Sequence, residues 1–139
     1  MKLLRNAAAT VCASAAIVTC ITAPANAIST TARQQWGPWT EVGYTYSIKC
    51  RTYVDASPSG SKIYITGAVY CNRKAEVAMD LSAISSGTKS KLCKNVTKSH
   101  FCYLSRWIKN PHGKQTFRVS TTANHIGHNI KAAHIKFKA

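Results

Sequence analysis

Between Ile63 and Leu81 apolar side chains recur at every second position. Ile63, Ile65, Val69 and Cys71 alternate with Tyr64, Thr66, Ala68 and Tyr70, and the pattern resumes as Ala75, Val77, Met79 and Leu81. Alternate strand residues point to opposite faces, so a period of two predicts two strands, each with one apolar face. Asn72, Arg73 and Lys74 between them read as a short polar connection, and the pair is expected to form a β-hairpin.

The same period runs from Tyr44 to Asp55, with Tyr44, Tyr46, Ile48, Cys50, Thr52 and Val54 on one face and Thr45, Ser47, Lys49, Arg51, Tyr53 and Asp55 on the other. Ala56-Ser57-Pro58-Ser59-Gly60 follows as a turn. Ser82 to Ser90 is small and polar, Lys91-Leu92-Cys93 is a short segment, and Lys94 to His100 is a polar loop. From Phe101 to Lys109 the two parities carry Phe101, Tyr103 and Trp107 against Cys102, Leu104 and Ile108, which predicts a strand covered on both faces. After the turn signal Asn110-Pro111-His112-Gly113, Phe117, Val119 and Thr121 alternate with Arg118 and Ser120. In the last segment Ala133, Ile135 and Phe137 alternate with His134, Lys136 and Lys138. About seven short strands with no amphipathic helix predict an all-β, two-sheet sandwich of Greek-key or immunoglobulin-like type, with an OB-like barrel as the alternative.

The N-terminal region departs from this pattern. Lys2 and Arg5 precede an apolar run from Ala7 to Ile21, and Ala25-Asn26-Ala27 completes a secretory signal peptide over residues 1–27. The run is short for a membrane span, and no other segment approaches one. Val18 and Thr19 lack the small residues usual before a lipid-anchored cysteine, which argues against Cys20 as an anchor. Cleavage leaves 112 of the 139 residues, enough for one domain: an arm over 28–42 and a sandwich over 43–139.

Cleavage also removes Cys12 and Cys20, leaving Cys50, Cys71, Cys93 and Cys102. An even count in an oxidising compartment reads as two disulfides, and the local pairing Cys50 with Cys71 and Cys93 with Cys102 is preferred among three connectivities. A simple hairpin closing at the 56–60 turn would put Cys50 opposite Thr66, out of reach of Cys71, so that pairing calls for a shifted register or a crossing between sheets. The cysteines contain no C-x-x-C pair, which disfavours zinc.

Charge narrows the choice of partner. The chain carries +15, and losing Lys2 and Arg5 with the leader lowers this to +13. Such a field concentrates polyanions at the surface. Lys49, Arg51, Arg118, Lys136 and Lys138 alternate outward from apolar positions and are the candidate polyanion contacts. Trp36-Gly37-Pro38-Trp39 excludes a helix and places two large rings around a turn, either as an aromatic platform or as a staple for the arm.

Catalytic signatures are weak. His125, His128 and His134 lie close together, but no Asp or Glu follows Gly113 to complete a hydrolytic metal site. No nucleophile elbow is present, and four acids make a glycosidase carboxylate pair improbable. A ribonuclease mechanism needs only histidines and a basic residue, and stands as an alternative. The expectation is a secreted, non-enzymatic, cationic binder of an anionic envelope polymer or other extracellular polyanion, without metal or cofactor. A protein-interaction or inhibitor module is a further alternative. The strand ending in Cys50, the segment Gly67 to Cys71, the Cys93 and Cys102 pair and the strand Gln115 to Thr122 together resemble small secreted two-disulfide proteins of actinobacteria. That resemblance implies an immunoglobulin-like sandwich with an extracellular address.

Overall fold

The computed structural model describes residues 33–44, 47–111 and 115–139. The leader, its cleavage site and His112-Gly113 lie outside the described residues. Among the described residues nine strands follow one another: β1 Gln34–Trp36, β2 Thr40–Glu41, β3 Lys49–Ser59, β4 Lys62–Cys71, β5 Ala75–Ala83, β6 Gly87–Val96, β7 Cys102–Lys109, β8 Thr116–His125 and β9 His128–Lys138. They form two antiparallel sheets. The first has the order β1-β3-β4-β7 with β2 also on β3, and the second has the order β6-β5-β8-β9. Among the seven long strands, β4, β6 and β7 each hand the chain to the other sheet, giving an immunoglobulin-like Greek-key sandwich.

The alternation read from the sequence sets the inner faces. Val54, Ile63, Ile65 and Val69 of the first sheet meet Val77, Met79, Leu81 and Val119 of the second, all fully or almost fully buried. The inward position of β4 that faces Leu81 and Thr121 is Gly67, and a Cβ there would lie 3.1 Å from Leu81 Cδ1 and still closer to Thr121 Oγ1. Both disulfides adopt the local pairing, Cys50–Cys71 and Cys93–Cys102.

The expected hairpin from Ile63 to Leu81 does not form. β4 uses both of its edges, one for β3 and one for β7, so β5 crosses to the other sheet and pairs with β6 and β8. Asn72 commits the connection to folding back over β3. Its N–H donates to Lys49 O (2.9 Å), its Oδ1 accepts from Lys49 N (2.8 Å) and its Nδ2 donates to Ser47 O (3.2 Å).

The hairpin that does form joins β3 to β4. β3 continues through Ala56-Ser57-Pro58, and Ser59 pairs with Lys62, so the turn is Gly60-Ser61. This register places Cys50 opposite Cys71, with Cα atoms 4.1 Å apart, and neither a shift nor a crossing is needed. Pro58 is tolerated because β1 reaches only to Asp55, leaving no outer neighbour that needs the missing N–H. The stretch expected as a polar linker and short segment is instead the end of β5, a turn, and the ten-residue β6.

The second disulfide has a different task. It ties β6, the edge of one sheet, to β7, the edge of the other, and Lys91 Nζ donates to Tyr103 O (3.1 Å) across the same gap. On the opposite side Thr52 Oγ1 donates to Lys131 O (2.8 Å), and Lys131 N donates to Thr40 Oγ1 (2.9 Å). Arg33, buried against the Phe137 ring, donates from Nη2 to Lys138 O (3.2 Å). Burial lowers the Arg33 pKa from its ordinary value.

Candidate functional site

Outward positions of the first sheet carry an aromatic layer. Trp36 lies against Tyr53 and Tyr70, with centroids 4.6 and 5.1 Å away; Tyr70 stacks on Phe101 at 4.7 Å, and Phe101 reaches Tyr103 at 6.0 Å. Ala68, beneath this cluster, is only 2% exposed although its Cβ points away from the core. A second cluster pairs Tyr64 with Trp107 at 5.0 Å, and Tyr64 Oη donates to Ser105 Oγ (2.7 Å). On β7 the clusters are four residues apart, from Tyr103 to Trp107, roughly 13 Å of strand.

The expectation that β7 is covered on both faces therefore fails. Cys102, Leu104 and Ile108 are buried, whereas Phe101, Tyr103 and Trp107 are 42%, 53% and 55% exposed. Lys91 Nζ lies 5.1 Å from the Tyr103 ring centroid, and all three rings still keep solvent-accessible surface. Contiguous exposed rings of this kind mark a binding surface more often than ordinary solvent-facing positions do.

The arm supplies the basic end of this layer. Gly37 interrupts the edge formed by β1 and β2, and its N–H donates to Thr52 O (2.8 Å). A side chain at Gly37 would bring Cβ to 2.5 Å from Thr52 Oγ1 and 2.8 Å from Lys131 O, so the turn sits against β3 and β9 only as glycine. That seating sets Trp36 and Trp39 on either side of Arg51, whose Cζ is 4.0 and 4.7 Å from the two ring centroids. Lys98 Nζ lies 5.4 Å from the Trp39 ring. Among the described residues Arg51 Nε is buried with no hydrogen-bond partner, and two ring faces pack on the guanidinium. Both tryptophan rings pack on Arg51 of β3, holding the arm there, and both remain partly exposed.

Burial raises the Tyr70 pKa, opposed by the nearby Arg51 charge. Burial, and then the charge of the nearby Asp55, raise that of Tyr53, whose Oη donates to Gln34 Oε1 (3.1 Å). At the far end of the layer Lys62 and Lys109 face each other in register. From the row of Tyr70 to that of Lys62 the track spans eight residues of β4, roughly 26 Å.

The five basic candidates do not form one patch. Lys49 and Arg51 lie on the first sheet, where Lys49 is paired in register with Glu41 and so has a cross-strand counter-charge. Arg118, Lys136 and Lys138 lie on the outer face of the second sheet. Tyr53, Tyr64, Tyr70, Phe101, Tyr103 and Trp107 were not among the sequence candidates. Their signal was parity, since each shares the outward register of polar or basic residues such as Arg51, Thr66, Ser105 and Lys109.

The histidines are dispersed. His125 and His128 face each other across the β8–β9 turn, but His125 is buried with Nδ1 2.6 Å from Glu76 O, and His128 packs edge-on against Tyr44. His134 is on the outer face of the second sheet, and His100 is in the β6–β7 turn. Among the described residues no group of three or more His, Cys, Asp or Glu is arranged to hold a metal ion, and no helix is long and apolar enough to cross a membrane. No protein-family model, curated protein or solved structure matches this chain.

Proposed function

We propose that this is a secreted, cationic, non-enzymatic protein that holds an extracellular polyanion along the aromatic and basic face of its first sheet. The observation that carries the reading is Arg51 set between Trp36 and Trp39 at one end of a partly exposed aromatic track. Rings give a flat ligand unit a stacking surface at low conformational cost, while the guanidinium attracts its charge. A polymer whose units offer both a ring face and a negative charge suits this combination, such as an acidic glycan or a single-stranded nucleic acid. Two disulfides fit an oxidising, non-cytoplasmic setting. The basic, apolar and Ala-x-Ala order of residues 1–27, and the resemblance to small secreted actinobacterial proteins, support export with removal of that leader.

The test is binding of oxidised residues 28–139 to envelope fragments, a heparin-like polysaccharide and single-stranded RNA across a salt series, with RNA integrity read in the same tubes. The expected result is salt-sensitive binding without cleavage, weakened about tenfold by Arg51→Ala and similarly by Trp107→Ala. Absence of binding at low salt refutes the proposal. Salt-insensitive capture of a protein would assign the aromatic face to a protein partner, and RNA cleavage would assign the chain to ribonuclease chemistry.

A further inference from the structure

The second sheet carries a separate concentration of positive charge. Arg118 on β8 and Lys136 on β9 are paired directly in register, both exposed. Like charges at directly opposed positions destabilise a strand pair, and no Asp or Glu follows Gly113 to offset them from within β8 or β9. The next row on this face pairs Ser120 with His134. Asp80 also lies on this face, on β5, but opposite Thr122, two rows from the Arg118–Lys136 pair.

The backbone beside these cations is concave. Arg118 and Lys136 border an open groove of about 510 Å³ whose exposed lining is mostly apolar, with Ile84, Ala132 and Ile135 beside the hydroxyls of Ser82 and Ser120. Its volume lies within the range of small-ligand clefts and leaves room for a sugar unit of a longer chain. The hydroxyls of Ser82 and Ser120 offer neutral hydrogen bonds beside the two fixed cations.

We infer that this groove is a second anion-binding face, taking the charged sugar unit of an acidic glycan, and that the protein is divalent and bridges two glycan chains. The inference builds on the function proposed for the first sheet. The faces lie on opposite sides of a sandwich whose sheets are about 10 Å apart, so they point away from each other. One extended chain lying along the aromatic track does not reach the groove without wrapping around the domain. Two chains reach both at once. Bridging raises the effective concentration of one chain near another without new contacts.

The test uses a heparin-like sulfated polysaccharide and a short sulfated oligosaccharide from it. Calorimetry with the oligosaccharide should give two ligands per wild-type chain, and one for Arg118→Ser/Lys136→Ser. With the long polysaccharide, wild type should produce light scattering that rises and then falls as protein is added, and the double variant should bind without scattering. Lys74→Ser/Lys94→Ser removes the same charge elsewhere and should leave both readouts unchanged. A stoichiometry of two retained by Arg118→Ser/Lys136→Ser, or equal losses in the Lys74/Lys94 control, overturns the inference. Arg51→Ala separates the two readings: a loss confined to this variant leaves the first face standing and removes the groove. A loss confined to the Arg118/Lys136 variant does the reverse.

Discussion

Adding one methyl group at Gly67 probes how the two sheets meet. The backbone of Gly67 is not in the left-handed region, so alanine is conformationally allowed there. The obstacle is Thr121, fully buried on β8 of the facing sheet, with Leu81 Cδ1 3.1 Å from the added carbon. Thr121 is paired with Leu81 on one side and Ala133 on the other, just before an irregularity in the β8–β9 register, so moving it away from the added carbon disturbs both pairings. Overpacking of this kind costs about 3 kcal/mol, the upper part of the usual range. Restricting the unfolded chain by Gly→Ala offsets about 0.5–1 kcal/mol, leaving a net loss of about 2 kcal/mol.

Thr121→Ala tests the assignment. It removes a methyl group contributing about 1 kcal/mol of burial. It also removes a hydroxyl that has no hydrogen-bond partner in the core, whose burial costs about 1–3 kcal/mol, so the single variant should be close to neutral. In Gly67→Ala/Thr121→Ala the new methyl occupies the vacated space, and stability should return to near wild type with a coupling energy of about 2 kcal/mol. Urea denaturation of the oxidised protein measures all four corners of the cycle. At a slope of roughly 1.5 kcal/mol per molar urea, Gly67→Ala should lower the midpoint by a little over 1 M. Effects that add to within about 0.5 kcal/mol would show that Thr121 is not what excludes a side chain at Gly67.

Loop-closure entropy predicts that Cys50→Ala/Cys71→Ala costs about 3 kcal/mol for its separation of 21 residues and Cys93→Ala/Cys102→Ala about 2.5 kcal/mol for its separation of 9; urea midpoints that reverse this order refute the entropic account. Ile126, with φ 47° and 71% exposed beside Gly127 at φ 78°, is a β-branched residue in a turn that favours Asn-Gly. Ile126→Asn should therefore raise stability by about 1 kcal/mol, and an unchanged or lowered midpoint would count against strain at this turn. Tyr53 and Tyr70 have folded pKa values raised above 10.0, so the native state keeps those protons longer than the unfolded chain does. Their contribution is intact below pH 10 and is lost as pH rises through the folded values. Phenolate absorbance should show late-titrating tyrosines that disappear in Tyr53→Phe and Tyr70→Phe; titration of all six near the free value would contradict their burial.

Much of the core was legible because period-two alternation is a local property. The inward set Cys50, Thr52, Val54 and Phe117, Val119, Thr121 follows from parity alone, and a single register slip would turn each set to solvent. Strand ends were less legible. Pro58 resembles a turn residue, but its effect depends on whether another strand lies outside it, which is a property of the sheet. The expected β4–β5 hairpin failed for a related reason, because a three-residue connection permits either a hairpin or a crossing and the choice depends on which edges of β4 are already occupied.

The candidate site divides in the same way. Arg51, Trp36 and Trp39 were visible as residue types, and the aromatic parity of Phe101, Tyr103 and Trp107 was visible on β7. Their association required the β3-β4-β7 order, because nothing in the chain between Trp36 and Trp107 specifies which strands are neighbours. The separation of Arg118 and Lys136 from Arg51 also followed only from the assignment of β8 and β9 to the other sheet. What the sequence by itself determined was therefore the all-β class, the inward and outward faces of the strands and the excess of positive charge; the local cysteine pairing was a preference among three that the β3–β4 register decided. Tertiary structure decided which outward faces adjoin. Alternation acts between residues two apart, whereas strand order is set by long-range pairing and by which buried surfaces fit together across the sandwich.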